Sequence, residues 1–334
     1  MTHLRNYHGT GLIAPASGAA VAALKARAAA WDVPLTETTD GLCLHIWGAE
    51  LRLIPDAGAL RIDLLAPEDR LIGILRDSAT EIMAEAGLQV AWENVQAGAL
   101  APGLSLMTVS AVTRPVTGFR RVRLTGPDAG RFGHGGLHFR LLLPPAGRIA
   151  VWPRVAATGR TLWPEGSDAL HRPVYTVLGY GPDWLEFDIF HHTPSPTCDW
   201  VASDPVGQTV GVLGPGGGWC PDAPSLLLMG DQTALPAVAR ILSLTQGCAR
   251  AILRCDRDDL GALDADPRVS RCGNLLAALE ETEIAADMHV WFAASAPEAR
   301  AARALLLKRG LPRKQITSAA YWAPPVTSEE RSDL

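Results

Sequence analysis

The 334-residue sequence predicts a multidomain chain of mixed α+β and α/β class: a small N-terminal α+β module, an antiparallel β-barrel and a C-terminal parallel-sheet α/β domain. Three observations predict it. The chain is too long for one hydrophobic core, which stops growing near ~250 residues. Its hydrophobic periodicity changes twice, from mixed strands and helices to short strands split by Gly/Pro turns, and then to regular strand-helix alternation. The first change falls in a linker rich in Ala, Gly and Pro at residues 96–103, the second just after Pro221.

The module takes residues 1–100. Residues 16–30 have helical spacing, whereas Leu42, Leu44 and Ile46, then Leu51 and Leu53, then Leu60, Ile62 and Leu64 alternate as half-buried strands do. Ala66-Pro-Glu-Asp69 puts a proline and two acids at a helix start, and Leu71, Ile72, Leu75, Ala79, Ile82 and Met83 form that helix's apolar face. The barrel takes residues 105–220, with strands at 106–112, 120–124, 137–143, 175–178, 184–190 and 209–213. In residues 221–334, strands at 225–229, 249–255 and 288–292 alternate with helices at 235–244, 274–281 and 297–309. That alternation gives a parallel sheet, which receives a nucleotide at the carboxyl ends of its strands.

Composition narrows the partners. The formal charge is −5, and no basic run with interleaved aromatics is present, which excludes nucleic acid as a partner. The six cysteines (Cys43, Cys198, Cys220, Cys248, Cys255, Cys272) show neither a CxxC pair nor zinc-ligand spacing, so reduced thiols in a reducing compartment are expected. Residues 11–24 are alanine-rich, but Pro15, Ser17 and Gly18 interrupt them, and they are not read as a cleaved signal. No stretch approaches the ~20 apolar residues that cross a bilayer. A soluble, cytoplasmic protein without stable membrane association is the expectation.

Three segments carry chemistry. Arg172-Pro-Val-Tyr-Thr-Val-Leu178 puts a cation, a ring and a hydroxyl on one strand. Ser195-Pro-Thr-Cys-Asp-Trp200 reads as a helix start with free N–H groups suited to an anion, although a plain aspartate N-cap explains the same residues. Leu227-Leu-Met-Gly-Asp-Gln-Thr-Ala-Leu-Pro-Ala237 ends a buried strand at Gly230 and turns into a helix capped by Thr233. His191-His192 lacks the third and fourth ligands of a stable metal site, and His45 and Trp47 are read as packing residues, so no metal site is expected.

Together these segments resemble the siderophore-interacting protein family. The first is similar to the family's Arg-x-Tyr-Thr-x-Arg strand, the second to its Gly-Pro-Ala-Ser-x-Trp turn, and the third to Gly-Asp-Glu-Thr-Ala-Leu-Pro-Ala. Gly214-Pro-Gly-Gly-Gly218, His138, Val290-Trp-Phe-Ala-Ala294 and Tyr321-Trp322 stand at family-like distances. The N-terminal module looks like a small uncharacterised (DUF2218-like) domain sometimes fused ahead of such proteins. Leu178, Cys198, Gln232 and Ser295 depart from the family pattern.

The resemblance implies a ferredoxin-reductase-like flavoprotein with an FAD-binding barrel and an NAD(P)H-binding α/β domain. Such a protein passes electrons from NAD(P)H through FAD to a ferric siderophore or other ferric chelate and releases Fe(II). The implied cofactor-binding residues are Arg172, Tyr175, Thr176, Pro196, Thr197, Cys198, Gly230, Asp231, Gln232 and Thr233. Arg300, Arg303, Lys308 and Arg309 on the last helix are only candidates for holding the anionic siderophore, and a solvated helix face is the better explanation of them. No acid/base side chain is required, because the cofactor performs the redox chemistry. Two alternatives stay open: a siderophore-binding protein without reductase activity, and a general NAD(P)H-flavin oxidoreductase. NADH and NADPH are not separated, since Asp256 favours a ribose hydroxyl and Arg257 a 2′-phosphate.

Overall fold

Alternation of buried and outward side chains gives the first sheet a single apolar face. The computed structural model describes residues 4–31 and 33–323. Its first elements are β1 (Tyr7–Ile13), α1 (Gly18–Trp31), β2 (Leu35–Thr38), β3 (Gly41–Ile46), β4 (Ala49–Asp56), β5 (Ala59–Ala66), α2 (Asp69–Glu85) and β6 (Ala91–Trp92). The strands form an antiparallel sheet in the order β2-β3-β4-β5-β1-β6. Leu44, Leu51, Ile62 and Leu64 point to one side and bury against Leu24 of α1 and Leu75 and Met83 of α2.

Several details differ from the sequence reading, and the short edge strands β2 and β6 are among the unanticipated elements. Strand β1 was not anticipated, because Gly9 and Gly11 hide its alternation. A Cβ at Gly11 would stand 2.5 Å from the Trp92 ring, so glycine is what lets β6 approach. Trp47 is no packing residue: it occupies the β3-β4 turn with φ 54° and is 58% exposed.

The second group of elements is β7 (Leu104–Thr113), β8 (Phe119–Thr125), β9 (His138–Leu142), β10 (Arg154–Val155), β11 (Thr161–Leu162), β12 (Val174–Thr176), β13 (Gly179–Tyr180), β14 (Trp184–Phe190), α3 (Pro196–Ala202) and β15 (Thr209–Gly216). Seven of the strands make one sheet in the order β12-β9-β15-β7-β8-β14-β13. The sheet closes on itself through one run of chain. Val177 donates to the Leu137 carbonyl at one edge, and Leu178 donates to the Glu186 carbonyl at the other, both within 2.9 Å. Closure removes the unpaired strand edges that would otherwise invite association. Leu178, where the family has an arginine, is thus a backbone link in the barrel seam.

The third group is β16 (Ser225–Asp231), α4 (Leu235–Leu244), β17 (Cys248–Arg254), β18 (Val269–Arg271), α5 (Leu275–Glu281), β19 (Met288–Ser295), α6 (Ala296–Lys308) and β20 (Ile316–Trp322). Its strands are parallel, in the order β18-β17-β16-β19-β20. Leu226 and Leu228 pack with Val238 and Ile241 of α4 on one face, whereas Leu227 and Met229 pack with Leu275 of α5 and Leu306 of α6 on the other. Helices on both faces explain why β16 reads as a continuous apolar run.

The chain divides into two compact units. One holds residues 1–105, 142–172 and 211–213; the other holds 106–141, 173–210 and 214–334. Within the first, Thr161 N–H donates to Asp77 Oδ1 of α2 at 2.9 Å, and Ala101, Leu104, Leu142 and Leu170 form a small core beside Trp152 and Trp163.

Candidate functional site

In a parallel sheet a ligand binds outside the carboxyl ends of the strands, where the strand order reverses. Here that point lies between β16 and β19. Gly230 has no room for a side chain there: a Cβ would meet Ala234 Cβ at 2.5 Å and the Ala293 carbonyl oxygen at 2.8 Å. Asp231 follows and is fully buried. Its carboxylate accepts from Thr233 N–H (3.0 Å), the Thr233 hydroxyl (2.6 Å) and the Trp322 indole N–H (2.7 Å), and Arg254 stands 3.8 Å away. The cap is therefore Asp231, not Thr233 as the sequence suggested. Gln232 opens a 3-10 turn over Gln232–Ala234, and α4 follows it.

Ser295, at the end of β19, caps α6. Its oxygen accepts from Glu298 N–H at 3.4 Å, and its hydroxyl donates to the Glu298 carboxylate at 2.7 Å. Arg254 completes the group by pairing with both Glu298 oxygens. This pairing holds the Glu298 carboxyl below the usual carboxylate range. The sequence reading treated Ser295 only as a departure and missed Glu298, although Ser-x-x-Glu before an apolar run is a capping signature.

On the barrel side, Tyr175 lies opposite Phe139, and its ring packs 6.5 Å from that ring and 5.0 Å from Phe187, centroid to centroid. Its phenol pairs with Thr197, and burial pushes it up to about 12. Thr176 lies opposite His138 and hydrogen-bonds the Tyr321 hydroxyl. That same hydroxyl is 2.8 Å from His138 Nε2. Burial first, and then the nearby Arg240 guanidinium, lower the His138 imidazole to about 4, so it is neutral at pH 7. Tyr321 comes from β20 of the parallel sheet, and Thr176 and His138 come from the barrel.

The turn before α3 is ordered internally. Ser195 Oγ accepts from Cys198 N–H at 3.3 Å, and the Cys198 thiol faces the Phe190 carbonyl at 3.5 Å. The Cys198 side chain is thereby taken up in packing. Thr197 is buried, whereas Pro196 and Asp199 are exposed. Arg172 is exposed and lies with its guanidinium 4.7 Å over the Trp163 ring.

Arg300, Arg303 and Lys308 are exposed on α6. This helix leaves the carboxyl edge of the sheet at Ser295, so Lys308 ends it ~20 Å away, near the amino edge. The structure does not bring Lys308 to the edge that holds Asp231. Arg309 is engaged with the Leu279 and Thr282 carbonyls. Arg257 is held by Asp264 through contacts of 3.0–3.2 Å. His191 and His192 are exposed. A cavity of about 460 Å³ lined by Leu178, Leu235, Pro236, Asp259 and Leu260 includes neither Tyr175, Thr176 nor Thr233, so it is distinct from this site.

A closed antiparallel barrel followed by a doubly wound parallel sheet defines the ferredoxin-reductase-like class. Two family profiles divide this part of the chain between them: the siderophore-interacting FAD-binding domain matches residues 108–219, and the siderophore-interacting protein domain matches 223–324. Residues 108–219 and 223–324 thus match the two domains of the siderophore-interacting protein family. The ferric acinetobactin reductase of Acinetobacter baumannii is 27% identical over 192 residues, 51% of this chain and 66% of that protein. The ferric vibriobactin reductase ViuB of Vibrio cholerae serotype O1 is 29% identical over 153 residues, 42% of this chain and 54% of that protein. The matches thus span from about half to just under two thirds of these relatives.

Among solved structures, a siderophore utilization protein from T. fusca is 27% identical with a TM-score of 0.54, over 67% of this chain and 94% of that one. The siderophore-interacting protein SipS from Aeromonas hydrophila, 20% identical with a TM-score of 0.55 over 69% and 95% of the two chains, shares the fold.

Proposed function

We propose that this protein is an FAD-dependent ferric-siderophore reductase that draws its electrons from NAD(P)H. The observation that carries the reading is the meeting of barrel and sheet at Tyr321: its hydroxyl bonds both Thr176 and His138. Hydride transfer needs nicotinamide and isoalloxazine in contact, and this is where the flavin strand and the carboxyl edge of the parallel sheet converge. The donor set fits a flavin. Tyr175 supplies an aromatic wall, and Thr176, Tyr321 and neutral His138 supply uncharged hydrogen-bonding groups for a polar ring edge. FAD, when bound, passes electrons from the nicotinamide nucleotide to Fe(III) held by hard oxygen ligands, and Fe(II) is released because those ligands prefer the ferric ion.

Residue roles follow from placement. Tyr175 and Thr176 orient the ring system. The turn at Pro196, Thr197 and Cys198 serves the phosphates, with the backbone and Thr197 contributing rather than the Cys198 thiol. Gly230 permits the close strand-to-helix turn, and Asp231 fixes Thr233 and Trp322, leaving Gln232 and Thr233 beside the nicotinamide. Arg300 and Arg303 remain the siderophore candidates of α6. The division into a module at 1–100, an FAD-binding barrel at 105–220 and an NAD(P)H-binding domain at 221–334 belongs to the same proposal. So does a cytoplasmic location, supported by six free cysteines.

The test is a visible absorption spectrum of purified protein supplied with FAD, followed anaerobically after NADH or NADPH and then a ferric siderophore. A flavin band that bleaches and recovers, with ferrous iron trapped by a chromogenic chelator, supports the reductase. Bleaching without recovery on ferric chelate, but with recovery on a quinone, supports a general flavin oxidoreductase. Failure to bind FAD at all overturns the proposal in favour of a binding protein. Tyr175→Ala is expected to weaken FAD at least ~10-fold, about 1.4 kcal/mol; unchanged flavin content removes Tyr175 from the site.

A further inference from the structure

The outer face of the first sheet carries a donor set that the reductase reading does not use. Cys43 and His45 alternate with the buried Leu42, Leu44 and Ile46 on β3, so both point away from the core. Glu50 lies directly opposite His45 on β4 and shares that face. The Cys43 sulfur, a His45 ring nitrogen and a Glu50 carboxylate oxygen all lie within 4.8 Å of one another. We propose that Cys43, His45 and Glu50 bind a divalent first-row transition-metal ion, with Zn²⁺ as the probe.

Three further observations point to a ligand. His45 Nε2 is 3.3 Å from the Thr36 hydroxyl. A hydrogen bond from that nitrogen to Thr36 leaves Nδ1 as the lone-pair donor facing Glu50, as a metal-bound imidazole oriented by an outer partner requires. Nδ1 and Glu50 Oε1 are 3.6 Å apart, beyond a hydrogen bond but close to the ~3.3–3.8 Å that separates ligands of a tetrahedral zinc ion. The three side chains also line one wall of a cavity of about 410 Å³ that reaches Thr38, Asp40 and Ile54, so a fourth position faces open space. Thiolate, imidazole and carboxylate together select zinc-like ions over magnesium or calcium.

Two arginines compete for the carboxylate. Arg52 bonds Glu50 Oε2 through Nε (3.0 Å) and Nη2 (2.6 Å), and Arg5 Nη1 is 2.8 Å from Oε1. Arg52 is nearly half exposed and also hydrogen-bonds the Cys43 side chain, so it must be displaced outward on binding, whereas Arg5 is also tied to the Gly48 carbonyl. On binding, the Cys43 S–H proton passes to solvent and a metal-sulfur bond forms. His45 binds as the neutral ring, and no electron is transferred. Glu50 turns an oxygen from arginine to the ion.

The full-length protein, stripped with chelator and dialysed against Zn²⁺, is expected to hold one zinc in addition to that held by Cys43→Ser, measured by elemental analysis. X-ray absorption at the zinc edge should show one sulfur at ~2.3 Å among lighter ligands. His45→Gln and Glu50→Gln should weaken binding at least ~10-fold, and Arg52→Ala should tighten it. Equal zinc content in the wild type and Cys43→Ser, or an absorption edge without sulfur, overturns the site and leaves an ion-pair cluster only. The result is independent of flavin binding and siderophore reduction.

Discussion

At His138, burial and hydrogen bonding act on a group that titrates near neutrality. The folded chain holds this imidazole neutral down to about pH 4, against an ordinary value of 6.5. Between those values the unfolded chain binds the proton and the folded chain does not. Stability is therefore complete above pH 6.5 and falls as the pH drops towards 4, by up to about 3 kcal/mol from this residue. His138→Gln keeps a partner for Tyr321 and cannot titrate. Urea denaturation at pH 7, 5 and 4 should show the wild type losing more stability than the variant; parallel losses would remove His138 as the cause. The motif around Tyr175 and Thr176 was legible residue by residue, but the tie from Thr176 and His138 to Tyr321 was not, because those partners are far apart in sequence.

Single side chains also decide how the elements begin and how closely they pack. Ser295→Ala removes the α6 cap and frees Glu298 from its reciprocal bond, and is expected to destabilise by about 1 kcal/mol, measured by thermal melting. A variant that melts with the wild type would show that the Arg254 pairing alone fixes Glu298. Gly11→Ala drives a methyl into Trp92 and Val90, both within 2.8 Å of the added carbon. It should destabilise by about 1–3 kcal/mol, the usual overpacking effect. Stability equal to the wild type would mean that β6 can shift at no cost. Most elements were legible from periodicity: the strand Trp184–Phe190 and the helix Leu235–Leu244 have the predicted bounds. Strands rich in glycine or alanine, such as β1 and β20, were not, because they lack the large side chains whose alternation marks a buried face.

Across the second unit, Arg240 joins barrel and sheet. It lies on α4, is 5% exposed, and donates to the Val177 (2.6 Å), Phe132 (3.0 Å) and Leu137 (3.3 Å) carbonyls of the barrel. The planar guanidinium spreads its donors over two nitrogens, Nη1 to Val177 and Leu137 and Nη2 to Phe132, a reach that the single nitrogen of a lysine does not have. Arg240→Ala leaves these carbonyls short of a donor and should destabilise by about 2–4 kcal/mol. Calorimetry should show one transition splitting into two, with Arg240→Lys failing to restore it. A single, unshifted transition would show that the hydrogen bond from Gly118 to Asp259 couples the two parts without Arg240.

By itself the sequence determined the order of the architectures, the strand-to-helix turn at Gly230 and the strand that carries Tyr175 and Thr176. These depend on local spacing and on residues adjacent in the chain, where side-chain period and backbone turn are written directly. Tertiary structure alone decided that Asp231 is an internal cap, that Cys198 turns its thiol inward, and that Cys43, His45 and Glu50 face one cavity. Each of these depends on which groups a closed barrel, a reversed strand order or a paired hairpin brings together. Burial then sets what those groups can do, by removing the water that would otherwise satisfy them.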